Sequence, residues 1–133
     1  ALVCRLAMAW EGRPYLVPLS FALDGDDLVL HMAGEGTKVD FLRQNPRVCF
    51  EVESDVEVIP ADRPCDVGMR FRSVVGFGEA RFVEGEGEKA RALELLAAKY
   101  APGAGAALAP ARVRQTLVVR VAIRELTGKQ SGY

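Results

Sequence analysis

Apolar and polar positions alternate along much of the chain, in short stretches broken by glycine, proline and aspartate. Leu2, Cys4, Leu6 and Met8 share one face of residues 2–9, the period-two repeat of a strand. Glu11-Gly12-Arg13-Pro14 reads as a turn. Tyr15, Val17, Leu19 and Phe21 mark a second strand over 15–22. Pro18 has no N–H to donate, which places this strand at a sheet edge or at a bulge. Asp24-Gly25 is a hairpin signal, and Leu28 to Met32 is the return strand.

Beyond Ala33-Gly34-Glu35-Gly36 the period changes. Thr37-Lys38-Val39-Asp40 fits a capping box with Asp in the acceptor position, so a short helix is expected from there to about Gln44, ending before Asn45-Pro46. Val48, Phe50 and Val52 alternate as a fourth strand. Residues 54–68, with Pro60, Pro64 and Gly68, are expected to be a loop with room for a short strand at 56–59. Met69 to Val83 predicts a long strand bent at Gly76 and Gly78. Leu93, Leu96, Ala97 and Tyr100 carry the i, i+3, i+4, i+7 spacing of a helix over 86–100, which Pro102-Gly103 ends. After an alanine-rich connector, Leu117, Val119, Val121 and Ile123 predict a closing strand. Hairpin-linked strands without a βαβ unit point to a mainly β fold, an antiparallel barrel with helices packed outside.

Composition narrows the possibilities. The chain's 133 residues suit a single domain over 1–133. A net charge of −1 without a basic run argues against nucleic acid as a partner. No stretch approaches the roughly 20 apolar residues of a membrane span, and no leader is recognisable, so a cytoplasmic protein is expected. Cys4, Cys49 and Cys65 form no CxxC pair, and His31 is the only histidine. That set makes no metal site and suits reduced thiols.

Two segments could hold an anion. In Leu30-His31-Met32-Ala33-Gly34-Glu35-Gly36-Thr37-Lys38 a strand ends, glycines follow, and a helix begins beside a lysine. Helix-start N–H groups and an ammonium together favour phosphate. A capped helix with a solvated lysine accounts for the same residues equally well. In Arg70-Phe71-Arg72-Ser73 the two arginines share one side of a strand, and Ser73 faces the other. A solvated basic stripe is the simpler reading of that spacing.

Taken in order, four stretches resemble the FMN-binding split-barrel family related to pyridoxamine 5'-phosphate oxidase, and most of all its nitroimidazole-resistance branch. They are Pro14-Tyr15-Leu16-Val17-Pro18-Leu19-Ser20-Phe21; His31-x-Ala33-x-x-Gly36-x-Lys38; Leu42-x-x-Asn45-Pro46-x-Val48-Cys49-Phe50; and Arg72-Ser73-Val74 with Gly78, joined by Thr127-Gly128-Lys129 near the end. The match spans nearly the whole chain but departs at its start, where relatives carry a helix before the first strand.

The resemblance implies FMN in a groove at the interface of a homodimer. Val17, Pro18, Leu19 and Ser20, with His31 and Met32, would line the ring and ribityl chain. Lys38, Arg72 and Ser73 would hold the phosphate, with Thr37 assisting. His31 is the catalytic candidate, against an equally good structural role hydrogen-bonding the flavin or a carbonyl. Trp10 is expected to pack, Cys49 to be buried and Cys65 to be exposed. The implied function is a flavin-dependent oxidoreductase acting on a small molecule, with NAD(P)H as a transient reductant. Alternatives are a flavin carrier without turnover, or the same barrel holding heme or a deazaflavin. A capped phosphate pocket would make FAD a poorer ligand than FMN.

Overall fold

The computed structural model describes residues 1–104 and 107–133. β1 (Cys4–Trp10) and β2 (Arg13–Leu19) form a hairpin around Glu11 and Gly12, both at positive φ. β3 (Phe21–Asp24) and β4 (Asp27–Met32) form a second hairpin, in which Gly25-Asp26 is the two-residue loop. Then follow α1 (Thr37–Gln44), β5 (Arg47–Ile59), a 3-10 turn at Pro64–Asp66, β6 (Gly68–Phe82), α2 (Glu86–Tyr100), α3 (Pro110–Gln115) and β7 (Leu117–Ser131).

The seven strands form one antiparallel sheet in the order β2-β1-β5-β6-β7-β4-β3. Its edge strands, β2 and β3, are consecutive in the chain and separated only by Ser20. The sheet curls until one edge passes directly into the other, yet no ladder joins them. The fold is therefore a split barrel, closed by covalent continuity and not by hydrogen bonds. The single strand expected over 15–22 divides at Ser20 for this reason. Pro18 lies in the edge strand, where its missing N–H costs no ladder bond.

Backbone groups at this seam lack strand partners, and α2 supplies them. The Tyr100 hydroxyl accepts the Phe21 N–H at 2.9 Å and lies 2.7 Å from the Leu2 carbonyl, to which it donates. Lys99 Nζ donates to the Phe21 carbonyl at 2.9 Å. Leu6, Leu30, Phe50, Val119 and Val121 fill the barrel interior. On the outside, Ala92 and Leu96 of α2 cover Ala22, Val29, Val83 and Val118.

A charged cluster pins the same helix. Arg120, 8% exposed, reaches Asp24, Asp27 (3.2 Å) and Glu88 (2.9 Å), while Arg91 binds Asp24 (2.7 Å) and Arg81 binds Glu88. Arg120 Nε approaches Glu88 without hydrogen-bond alignment. The cluster ties the β3–β4 hairpin, β7 and α2 together.

Four expectations need correction. Thr37 and Asp40 do not form a capping box, because the N-cap is Gly36 at φ 115 and no side chain caps the helix. The Gly36 carbonyl accepts the N–H of Val39 (3.0 Å) and Asp40 (3.1 Å), a conformation that favours glycine. β5 runs on to Ile59 through a bulge between Ser54 and Glu57, so much of the expected loop is strand. β7 extends eight residues past Ile123, and α3 occupies part of the connector. Of that connector's alanines, Ala106 lies outside the described residues.

The bends at Gly76 and Gly78 are present, with a register shift between Phe77 and Gly78. Close approach is the cause. A Cβ on Gly76 would strike the Phe50 ring, and one on Gly78 would strike the Ala122 carbonyl.

β1 pairs with β5 only over Cys49–Glu51, and β4 pairs with β7 only over Leu117–Ala122. The remainder of β5, β6 and β7 projects from the barrel as a three-stranded tongue. Val56, Val58, Met69 and Leu126 are exposed on it.

Candidate functional site

His31 stands in β4 between Leu30 and Met32, whose side chains are buried in the barrel. Strand alternation turns His31 the other way, toward α2. There it lines a hollow of about 330 Å³ with Ser20 and Tyr100, against an apolar wall of Leu93, Leu96 and Leu108. The helical repeat of Leu93, Leu96 and Tyr100, read from the sequence as a core face, thus serves partly as this wall.

One turn of chain beyond His31 lies the second component. Gly34 and Gly36 are exposed, with no atom near where a Cβ would stand, so a ligand can approach their backbone. Thr37 and Lys38 open α1, where the first N–H groups have no intrahelical acceptor. Lys38 is half-buried and forms no ion pair with a described residue. Asp40, in the first turn, is the one opposing charge in this helix start. Open glycines, free N–H groups and an unpaired ammonium fit a phosphate. The loop is open and uncapped, so the expected exclusion of FAD has no steric basis in the chain itself.

The other expected residues are distributed as follows. Val17 and Leu19 point inward and pack on the core, while Pro18 is exposed on the edge strand. The Met32 side chain is buried, leaving only its backbone to face a ligand. Trp10 packs edge-on against Phe41 with ring centroids 6.0 Å apart.

Arg72 and Ser73 lie elsewhere. Met32 is opposite Leu117 of β7, whereas Arg72 is opposite Gln130, thirteen residues further along the same strand. That separation is on the order of 40 Å of strand contour. The two candidates thus lie on different parts of the sheet, Lys38 beside the barrel seam and Arg72 on the projecting strands, and they line no common hollow. Arg72 and Ser73 sit on the projecting tongue, beside a hollow of about 90 Å³ that Ser54 and Glu53 also line. Glu53 is neutralised there by Arg5 at 2.9 Å.

Sequence reasoning missed three contributors. Tyr100 and Lys99 hold the seam beside Ser20. Asp55 binds Arg72 at 3.0 Å. Nothing in local spacing pairs residues 55 and 72, which meet only through the bulged β5–β6 ladder.

The thiols grade by burial. Burial pushes Cys4 up to about 11, with Glu51 adding to the effect. Burial also raises Cys49, which is half-buried and not fully enclosed as expected. Cys65 is exposed. Among the described residues no cluster suited to a metal occurs, and no helix is long and apolar enough to cross a membrane.

A larger groove of about 610 Å³ separates α2 from the segment leading into α3. Six alanines help to line it, and it meets the His31 hollow at Ala97 and Leu108, while His31, Ser20 and Lys38 lie outside it.

Comparison with known proteins agrees with this fold. The chain is 29% identical, over 96% of its length, to a candidate 5-nitroimidazole antibiotic resistance protein from Bacteroides thetaiotaomicron, with a TM-score of 0.83 and 76% of that chain covered. An FAD- and heme-binding protein from Mycobacterium smegmatis superposes with a TM-score of 0.86 at 23% identity, over 99% of this chain and 66% of that one. The flavocytochrome Anf3 from Azotobacter vinelandii gives 0.83 at 21% identity, over 100% of this chain and 63% of that one. The chain thus spans just under two thirds of the length of the last two. A search of curated proteins returned no match. The family profile described as pyridoxamine 5'-phosphate oxidase matches residues 1–130, and the chain, a split barrel with this strand order, belongs to that family.

Proposed function

We propose that the chain binds FMN in a homodimer and acts as a flavin-dependent oxidoreductase on a small molecule. The observation that carries this reading is the His31–Lys38 segment. A histidine facing a hollow, an open glycine loop and an unpaired lysine at a helix start follow one another at the barrel seam. They offer an apolar wall at one end and an anion-binding helix start at the other, the polarity of a ligand with a flat apolar ring and a phosphate.

In this reading Lys38 and the first N–H groups of α1 bind the phosphate. Ser20 and His31 orient the ring end, and α2 excludes water from one side of it. The bound flavin would supply hydride or electron transfer, so few reactive side chains are required of the protein. His31 holds a proton at an imidazole nitrogen beside the ring, either to donate it or to fix the ring by a hydrogen bond. NAD(P)H would bind transiently as reductant. The free cysteines fit a reducing cytoplasm.

The separation of the two anion-binding candidates along the sheet supports a homodimer. A second copy related by a two-fold axis would bring its tongue, with Arg72 and Ser73, to the first copy's Lys38. The exposed apolar residues of the tongue would be covered by the same contact.

A structural neighbour described as binding both FAD and heme favours a second reading, with heme on the same barrel. An absorption spectrum and mass of the small molecule that copurifies separates the two. Flavin bands and the mass of FMN are expected. A Soret band without flavin bands would contradict the flavin reading. NADH or NADPH oxidation by the FMN-loaded dimer then separates an enzyme from a carrier.

A further inference from the structure

Arg72 already holds a carboxylate through one guanidinium nitrogen and lies against an aromatic ring. Its Nη1 donates to Asp55 Oδ2 at 3.0 Å, and its guanidinium lies 4.0 Å from the Tyr133 ring centroid. Asp55 is held in turn. Ser54 Oγ donates to the same carboxylate oxygen at 3.1 Å, and the Tyr133 hydroxyl donates to the Asp55 carbonyl at 3.0 Å. Asp55 sits on the bulge of β5 with φ 56, a left-handed conformation that costs most side chains energy and Asn or Asp least. The neighbouring Arg70 is occupied by Glu57 (3.3 Å) and the Gly132 carbonyl (3.1 Å). The bulge therefore places a carboxylate, and no other anion, against the one arginine assigned to the phosphate.

We infer that Asp55 is an internal competitor for the ligand's phosphate at Arg72, and so sets how strongly the site prefers a phosphorylated ligand over its unphosphorylated form. The inference rests on the assignment of Arg72 to the phosphate in the proposed function. Binding exchanges one anion for another: the phosphate takes the guanidinium, and the Asp55 carboxylate swings into water. Tyr133 stays stacked on the guanidinium and keeps its plane presented. Both Arg72 and Asp55 are about half exposed, so the exchange is cheap, and the effect of removing the competitor is modest.

The test is a pair of titrations, FMN and riboflavin, on the full chain by quenching of flavin fluorescence. Asp55→Asn removes the charge and keeps a residue that tolerates the left-handed backbone. Asp55→Gly is a second variant with the same tolerance. Both should tighten FMN about two- to fivefold and leave riboflavin unchanged. In an Arg72→Ala background the same substitutions should change neither ligand. Unchanged or weakened FMN binding in both Asp55 variants, with Arg72→Ala still weakening FMN, overturns the competitor role alone. If Arg72→Ala leaves the FMN-to-riboflavin ratio as it was, the phosphate assignment fails and the inference falls with it. Failure of the wild type to bind FMN at all would instead overturn the proposed function.

Discussion

Lys38 and His31 are seven residues apart and should report on opposite ends of one ligand. A charge-assisted hydrogen bond is worth roughly 1.5–3 kcal/mol, so Lys38→Ala should weaken FMN about 10- to 150-fold by fluorescence titration. Riboflavin lacks the phosphate and should be unaffected. His31→Ala should alter the flavin spectrum or its reduction rate with a smaller loss of affinity. Equal weakening of FMN and riboflavin by Lys38→Ala would make the lysine structural. The thiols offer an independent check on burial. With iodoacetamide at mild alkaline pH, the exposed Cys65 should label first and the half-buried Cys49 more slowly. Cys4, buried and pushed up to about 11, should label only on unfolding. Mass spectrometry of timed digests reads the order, and early labelling of Cys4 would contradict the packing of β1. At this scale the sequence was informative about placement but not about pairing. The place of Lys38 at a helix start, the outward face of His31 and the exposure of Cys65 followed from local pattern. The Asp55–Arg72 contact did not, because it depends on a ladder register that no local motif encodes.

At the scale of elements, α2 is the piece that decides whether the seam holds. Its Lys99 and Tyr100 satisfy backbone groups that no strand reaches. Its Glu88 and Arg91 join the cluster around Arg120. Replacing Arg120 with Met leaves Asp24 and Asp27 facing each other across a nearly buried site, and the melting temperature should fall by roughly 5–10 °C. No change would show that the cluster is a surface decoration.

Hydrogen bonds from Arg91, then Arg120, hold the Asp24 carboxyl well below the usual carboxylate range. A depressed folded-state pKa stabilises the fold above the unfolded value of 3.8, and this contribution is lost as pH falls further toward the folded value. The difference in melting temperature between wild type and Asp24→Asn should therefore be full at pH 7 and narrow below about pH 4. A gap independent of pH would contradict the ion-pair account. Strand and helix periods located α1, α2 and β6 nearly to the residue. The helix cap was misread because a glycine at φ 115 can start a helix without any side chain. The full length of β7 was not legible, since residues 124–131 carry no apolar alternation and are strand only because β6 pairs with them.

For the whole molecule, the sheet order explains the fold and sets what the proposed assembly has to bring together. Barrel and tongue are continuous strands, and the tongue carries Arg72 away from Lys38. The barrel class was legible because hairpin signals and strand periods have local causes. The split at Ser20 and the distance between the two anion candidates were not, because both arise from how the sheet curls. If the site needs two chains, light scattering should give twice the 14.4 kDa chain mass, and dilution that produces monomers should release FMN. A monomer that keeps FMN tightly would contradict the shared site.

The central claim is that the His31–Lys38 segment forms part of an FMN site. Titration of the cofactor-stripped protein with FMN, followed by flavin fluorescence and by calorimetry, tests it most directly. The account predicts one FMN per chain with a dissociation constant of about 1 μM or below, and riboflavin at least about tenfold weaker. No saturable FMN binding into the range of about 100 μM, or equal affinity for FMN and riboflavin, would contradict it.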